Sequence, residues 1–494
     1  MSTNHSRTGP LPADAAAPDG QAPPGSSFNL VKGARQYRCR PGPLLLNKLK
    51  NMQRRLFLRS GSASAVALAL AACGGGGGGA DGVGNLATGV GSDTVGGTSA
   101  STTRPAVDGP DSYPFGSRLD AYVAGILPSA AAEQMDAAVR RAYDAWKARA
   151  ITDVPTVRGG KAVRFGNSTA YLTVSEGMGY GMLIAVLMAG HDSGARALFD
   201  GLLTTVRARP AYSIPDVGRW LLDWRLTIDG SSTDAAGGGW NAMDGDLDIA
   251  MALLMADRQW GSDTGAWNYK QEAVDTINAM KAWNMKEDGT TKGMATPHVS
   301  RTSDYMTGHF RAFKRATGDA LWDRAIDRSY ELIDRMQTVY SPNCGLMPDF
   351  IIHTDSPNPI PSPGGYGDFV DTEGFYYANA QRNPWRWGTD YVTSGDGRWR
   401  DVCNKLVGFV ERDCGGDGSR IAAGYRLDGS AIDRSYSPEG MIGPMLCGAM
   451  VDPRFQGFLD NLWNWNANNF TTDYYDSELQ LIPMIVASGN WWNP

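Results

Sequence analysis

The sequence predicts an all-α protein in which six helical hairpins close into a ring. Three observations carry this reading. From about residue 120 onward apolar residues recur at helical spacing, and alternating strand patterns are rare. Twelve such stretches can be marked. Their connections also alternate: those after the even-numbered helices are short, as in antiparallel hairpins, whereas those before them are mostly long and rich in Gly, Pro, Asn and Trp. Long loops of this kind carry function. In a ring, the N-termini of the even helices would gather at one end, and a site is expected there.

In order, helices are expected near 130–148, 175–190, 193–207, 246–258, 268–283 and 303–316, then near 320–338, 379–394, 398–412, 437–449, 452–466 and 473–488. The second begins at Ser175-Glu176-Gly177-Met178-Gly179-Tyr180-Gly181-Met182, with Ser175 as the expected N-cap and Glu176 in the first turn. Ionised, a carboxylate there is favoured by the helix dipole; crowded by apolar neighbours, it would hold its proton and could act as an acid. The fourth begins at Asn241-Ala242-Met243-Asp244-Gly245-Asp246-Leu247-Asp248. Its alternating acids suggest a calcium loop, but Ile249 and Met255 stand where that loop needs Gly and Glu, so one acid is expected to cap the helix and another to face the site. The sixth opens at Arg301-Thr302-Ser303-Asp304-Tyr305, with Ser303 or Asp304 as cap. The eighth follows the acidic, aromatic loop Gly364–Phe375, which contains Asp368, Asp371 and Glu373.

The first hundred residues read differently. Residues 1–51 are expected to be a disordered or untranslated extension, with Met52 as the natural start. Met52–Arg59 is a basic segment, and Ser62–Ala72 is apolar but too short to span a bilayer, as in an export signal. Arg54-Arg55 followed by Phe57-Leu58-Arg59 resembles a twin-arginine signal, and Leu70-Ala71-Ala72-Cys73 resembles a lipoprotein box with Cys73 as the lipidated residue. Residues 74–110 read as a Gly/Ser/Thr-rich tether, and 111–494 as the catalytic domain. Residues 1–72 hold ten Lys and Arg against two Asp, so the net charge of −6 leaves about −14 on the rest. An acidic body argues against nucleic acid or anionic lipid as partner. Export would permit disulfides among Cys344, Cys403, Cys414 and Cys447, although no spacing identifies a pair. His191, His298, His309 and His353 show no metal-ligand spacing, and no metal or cofactor is expected. G-x-S-x-G and phosphate-loop motifs are absent.

Taken together, the motifs resemble glycoside hydrolase family 8. Ser175-Glu176-Gly177-x-Gly179-Tyr180-Gly181-Met182 looks like its acid motif, and Asp244-Gly245-Asp246-x-x-Ile249-Ala250 looks like its signature, with Met243 where Ser or Thr is usual. Arg382-x-Pro384-Trp385-Arg386, followed by Thr389-Asp390-Tyr391, resembles its third block. The resemblance spans about 112–488 and implies an (α/α)6 barrel, an inverting mechanism, Glu176 as general acid and Asp244 as a sugar-binding acid. One branch of the family has an Asp base just before the third block. Here Asn379 occupies that place, which implies the branch whose base is a loop acid: Asp371 first, Glu373 second, with Asp304 and Asp368 behind them. Tyr180, Trp240, Asp304, Asn379, Arg382, Trp385 and Arg386 form the candidate substrate-binding set. The implied protein is a monomeric, exported or lipid-anchored endo-β-1,4-glycanase acting on cellulose or mixed-linkage glucan. A chitosanase of the same family and a non-catalytic glycan-binding lipoprotein are the competing readings.

Overall fold

The computed structural model describes residues 111–232, 238–263, 265–293, 296–366 and 371–494. The expected extension, export signal, Cys73 and tether lie outside the described residues, as does Asp368. Twelve α-helices are present among them: α1 (Ala132–Ala150), α2 (Ser175–Leu187), α3 (Ala195–Ala208), α4 (Met243–Trp260), α5 (Tyr269–Asn284) and α6 (Thr307–Thr317). Then follow α7 (Leu321–Arg335), α8 (Asn383–Ser394), α9 (Gly397–Cys414), α10 (Glu439–Ala449), α11 (Gln456–Asn468) and α12 (Asp476–Ala487).

Their burial sorts them into two layers. Every residue of α2 and of α12 is buried, and in α4 Asp257 and Arg258 alone reach solvent. Helices apolar on every side belong inside a larger assembly. The odd helices instead bury one stripe, as α7 does with Leu321, Trp322, Ala325, Ile326, Ser329, Tyr330, Leu332 and Ile333. The even helices pack in sequence, α2 on α4, α4 on α6, α6 on α8, α8 on α10, α10 on α12, and α12 back on α2, which closes the inner ring. Each hairpin partner packs outside it. This is the (α/α)6 barrel expected.

Glycines set how closely the inner helices approach where the site is built. A Cβ on Gly245 of α4 would lie 2.6 Å from the backbone carbonyl carbon of Ser175, and one on Gly179 of α2 would lie 2.8 Å from the carbonyl oxygen of Gly245. With hydrogen at both positions, the first turns of α2 and α4 touch backbone to backbone.

Several local expectations are corrected. The N-cap of α2 is Val174, without a side-chain bond, and Ser175 is already helical. None of the acids at the start of α4 caps it; Ala242 occupies that position. Neither Ser303 nor Asp304 caps α6: Thr302–Asp304 is a separate 3-10 turn and α6 starts after Met306. A second 3-10 turn, Ala380–Arg382, precedes α8. Among the described residues the long loops also contain seven short strands, β1 (Ile151–Asp153), β2 (Lys161–Val163), β3 (Tyr171–Val174), β4 (Arg225–Thr227), β5 (Val299–Arg301), β6 (Phe350–Ile352) and β7 (Ile360–Pro361). They pair antiparallel as β1–β2, β3–β4 and β5–β6–β7. None is longer than four residues, too short for a period-two pattern to register. Cys344, Cys403, Cys414 and Cys447 are all buried free thiols.

Candidate active site

Three inner-ring segments converge on one guanidinium. Glu176 comes from the first turn of α2, Asp244 from the first turn of α4, and Arg382 from the turn that leads into α8. Arg382 Nη1 donates to Glu176 Oε2 at 2.5 Å and to Asp244 Oδ2 at 2.8 Å. Its Nη2 donates to Ser303 Oγ and to Asn379 Oδ1, each at 2.7 Å, and its Nε to the Asn379 carbonyl at 3.3 Å. The opposite side of Asp244 is held by Arg301 of β5, whose Nη2 is 2.8 Å from Oδ1. Tyr474, just before α12, donates its hydroxyl to Glu176 Oε1 at 3.1 Å.

The electrostatics separate the two acids. Burial raises the Glu176 carboxyl, and the neighbouring Asp244 charge adds to it; Arg382 opposes them, and the group ends at about 7. Asp244 is equally enclosed, but Arg301 and Arg382 outweigh its burial and hold it well below the usual carboxylate range. One acid therefore keeps its proton near neutrality while the other is ionised beside it. That division of labour is the one a proton donor and a charged sugar-holding group require.

Beneath this pair lies a supporting layer. Arg386 pairs with Asp248 through both terminal nitrogens at 2.6 Å, and Asp248 is also 2.9 Å from His309 Nε2. The Arg386 guanidinium lies 3.6 Å from the Trp385 ring centroid, and Tyr180 meets Trp385 edge-on at 5.6 Å. Tyr180, Trp385 and Arg386 are thus sealed in the barrel core, and Asn379 is buried between Arg382 and Asp349. These four brace the site from within the core. Asp304 is likewise buried, with Oδ1 3.0 Å from Arg301 Nε. Trp240, by contrast, is 42% exposed four residues ahead of Asp244 and lies on Trp283, ring centroids 5.9 Å apart at 22°. A half-exposed flat ring backed by another is suited to stacking on a sugar face.

The loop acids divide as sharply. Glu373 is buried, and its carboxylate accepts from Ser362 Oγ at 2.6 Å and from the Tyr366 amide at 3.0 Å. Asp371 is exposed. No set of three or more His, Cys, Asp or Glu side chains among the described residues is arranged to hold a metal ion.

Arg301, Tyr474 and Asp349 are among the contributors that were not assigned a role from sequence. Asp349 accepts backbone N–H bonds from Tyr377, Asn379 and Ala380 at 3.2, 3.1 and 2.7 Å and so fixes the turn that aims Arg382. A signal existed for Tyr474, since it precedes an even helix and so belongs to the long-loop end. Asp349 sits in a stretch without any motif.

Known proteins resemble this chain in sequence and fold. The family model for glycosyl hydrolases family 8 matches residues 116–364. A β-glucanase of Niallia circulans is 34% identical over 367 residues, 72% of this chain and 86% of its own. An endoglucanase of Bacillus sp. strain KSM-330 is 35% identical over 376 residues, 73% of this chain and 78% of its own. The apo structure of a β-1,3-1,4-glucanase from Paenibacillus sp. X4 superposes with a TM-score of 0.71 at 33% identity, covering 77% of this chain and 99% of that one. The motifs, the closed ring and these likenesses agree: the chain belongs to glycosyl hydrolases family 8 and is a glycoside hydrolase of the cellulase-like kind.

Proposed function

We propose that the protein is an inverting endo-β-1,4-glucanase that cleaves cellulose or mixed-linkage glucan. The observation that carries this reading is the buried Glu176, held at about 7 and sharing one arginine with an ionised Asp244. The β-glucanase and endoglucanase names of its relatives favour β-glucan over chitosan. Glu176 gives its proton to the glycosidic oxygen as the C1–O bond breaks, and Asp244 holds a sugar hydroxyl beside it. Water attacks the opposite face of C1, and its proton passes to a loop carboxylate. Asn379 is a neutral amide that cannot take up a proton as a base and is bonded to Arg382 and Asp349, and the Glu373 carboxylate accepts from its own loop. Asp371, exposed on that loop, is therefore the base in this reading. Trp240 stacks on a neighbouring sugar.

Export with lipid attachment at Cys73 belongs to the same proposal, resting on the apolar Ser62–Ala72 segment and the Leu70–Cys73 motif, and so does a monomeric state. The test is a panel of carboxymethylcellulose, lichenan, chitosan and xylan with reducing-end detection, followed by NMR of the first anomer released. Lichenan or carboxymethylcellulose cleaved to the α-anomer is expected. Release of the β-anomer overturns the mechanism, and preferred cleavage of chitosan overturns the substrate.

A further inference from the structure

The buried cluster around Glu176 extends one residue further than the hydrolytic reading uses. Its members form a chain in which acids and guanidinia alternate: Glu176, Arg382, Asp244, Arg301, Asp304. The links are 2.5 Å from Arg382 Nη1 to Glu176, 2.8 Å from the same atom to Asp244, 2.8 Å from Arg301 Nη2 to Asp244, and 3.0 Å from Arg301 Nε to Asp304. All five side chains are at least nine-tenths buried. Asp304 Oδ2 has no hydrogen-bond partner among the described residues.

Counting charges gives three carboxyls against two guanidinia. A net charge enclosed in a protein is costly, and the usual resolution is that a group takes up a proton. Asp244 lies between both arginines and is the most strongly held as an anion. The proton therefore resides on one of the two ends. We propose that Asp304 is a positioning residue acting through Arg301: it competes with Glu176 for the single proton of the cluster, and so sets the pH range over which Glu176 is a proton donor. This rests on the reading of Glu176 as the acid.

The surroundings support a competition confined to these two. Glu176 is faced by Tyr180 of its own helix, Arg382 from the turn before α8, Asp244 of α4, Arg301 of β5, and Tyr474 and Tyr475 ahead of α12. Asp304 is faced by Arg301, Asp244 and Arg382, and by the neighbouring Tyr305, whose phenol burial keeps neutral. Burial keeps the Tyr180 and Tyr474 phenols neutral, well above their ordinary range. Burial raises Asp304 to about 6 against about 7 for Glu176, so the two ends titrate in the same interval.

The first experiment is the pH profile of kcat/KM on lichenan for wild type and Asp304→Asn. Without the Asp304 charge, Arg301 is less compensated and favours ionised Glu176, so the alkaline limb should move to lower pH by about half a unit or more. A purely structural Asp304 would change Tm and leave the limb in place, and superimposable profiles overturn the proposal. The second is a 13C NMR titration of aspartate carboxyls in wild type and Glu176→Gln, which needs neither turnover nor a folded Asp304 variant. With a neutral Gln at the far end, two acids balance two guanidinia, so Asp304 should titrate at lower pH. An Asp304 titration that is the same in both proteins overturns the proposal. A wild type that cleaves no β-glucan would sink the functional reading instead, and the NMR result would still decide the charge coupling.

Discussion

At the scale of single residues, the site separates groups that touch substrate from groups that aim them. Arg382 is the clearest aiming group. It is buried and spends its donors on Glu176, Asp244, Ser303 and Asn379, so none is left for a sugar. Truncating it to Ala would leave two enclosed carboxylates facing each other, and removing one partner of such a pair costs about 3–5 kcal/mol. Arg382→Ala should therefore lose both activity and several degrees of Tm, the latter read by calorimetry. Trp240 is the opposite case. Its ring is 42% exposed, and surface substitutions usually stay within about 0.5 kcal/mol in stability. A lost stacking contact of about 1 kcal/mol corresponds to about fivefold in affinity. Trp240→Ala should raise KM for lichenan by about that factor, with kcat and Tm nearly unchanged.

At the scale of elements, the contact of α2 with α4 fixes the spacing of the two acids. Gly245→Ala would gain about 1 kcal/mol of helix propensity. The new Cβ would lie 2.6–2.7 Å from the carbonyl carbon, Cβ and carbonyl oxygen of Ser175. Backbone cannot yield as a flexible side chain does, and overpacking of this sort costs about 1–3 kcal/mol. The collision outweighs the propensity. Gly245→Ala should lower the urea midpoint and reduce kcat, because Glu176 moves away from Asp244 as the helices part. The same contact explains why the start of α2 was legible in sequence: three glycines beside one acid leave a mark in a single short stretch. Tyr474 leaves none, since its meeting with Glu176 joins residues 298 positions apart and arises only when the ring closes. The short strands escaped notice for a related reason. Each is specified by its pairing partner and not by its own pattern.

At the scale of the whole molecule, the alternation of short and long connections was enough to give the barrel and to say at which end Glu176, Asp244 and Arg382 gather. What it could not give is which groups at that end face water. Tyr180, Trp385 and Arg386 lie in recognisable motifs and still prove to be core, because a motif records that a residue is needed, not which way it points. The sum of the buried acids also has a global consequence. Burial raises Glu176, Asp246 and Asp349 to about 7, and Asp304 and Asp223 to about 6. Each binds its proton more tightly folded than unfolded, so its contribution to stability is complete below the unfolded value near 4 and is lost as pH rises through 6–7. Asp244 and Asp248 are lowered, and their contributions are lost only as pH falls below the ordinary carboxylate range. Tm should accordingly be several degrees higher at pH 5.5 than at pH 8, measured by calorimetry at constant ionic strength; an equal or higher Tm at pH 8 would contradict this charge assignment.

The central claim is that Glu176 donates the proton. Glu176→Gln keeps the shape of the side chain and one oxygen to accept from Arg382, with its amide nitrogen facing the Tyr474 hydroxyl, while removing the acid. Its kcat on lichenan should fall by about 10²–10⁴, the usual contribution of general acid catalysis, with circular dichroism and lichenan binding unchanged. A folded Glu176→Gln protein that hydrolyses lichenan at the wild-type rate would contradict the account.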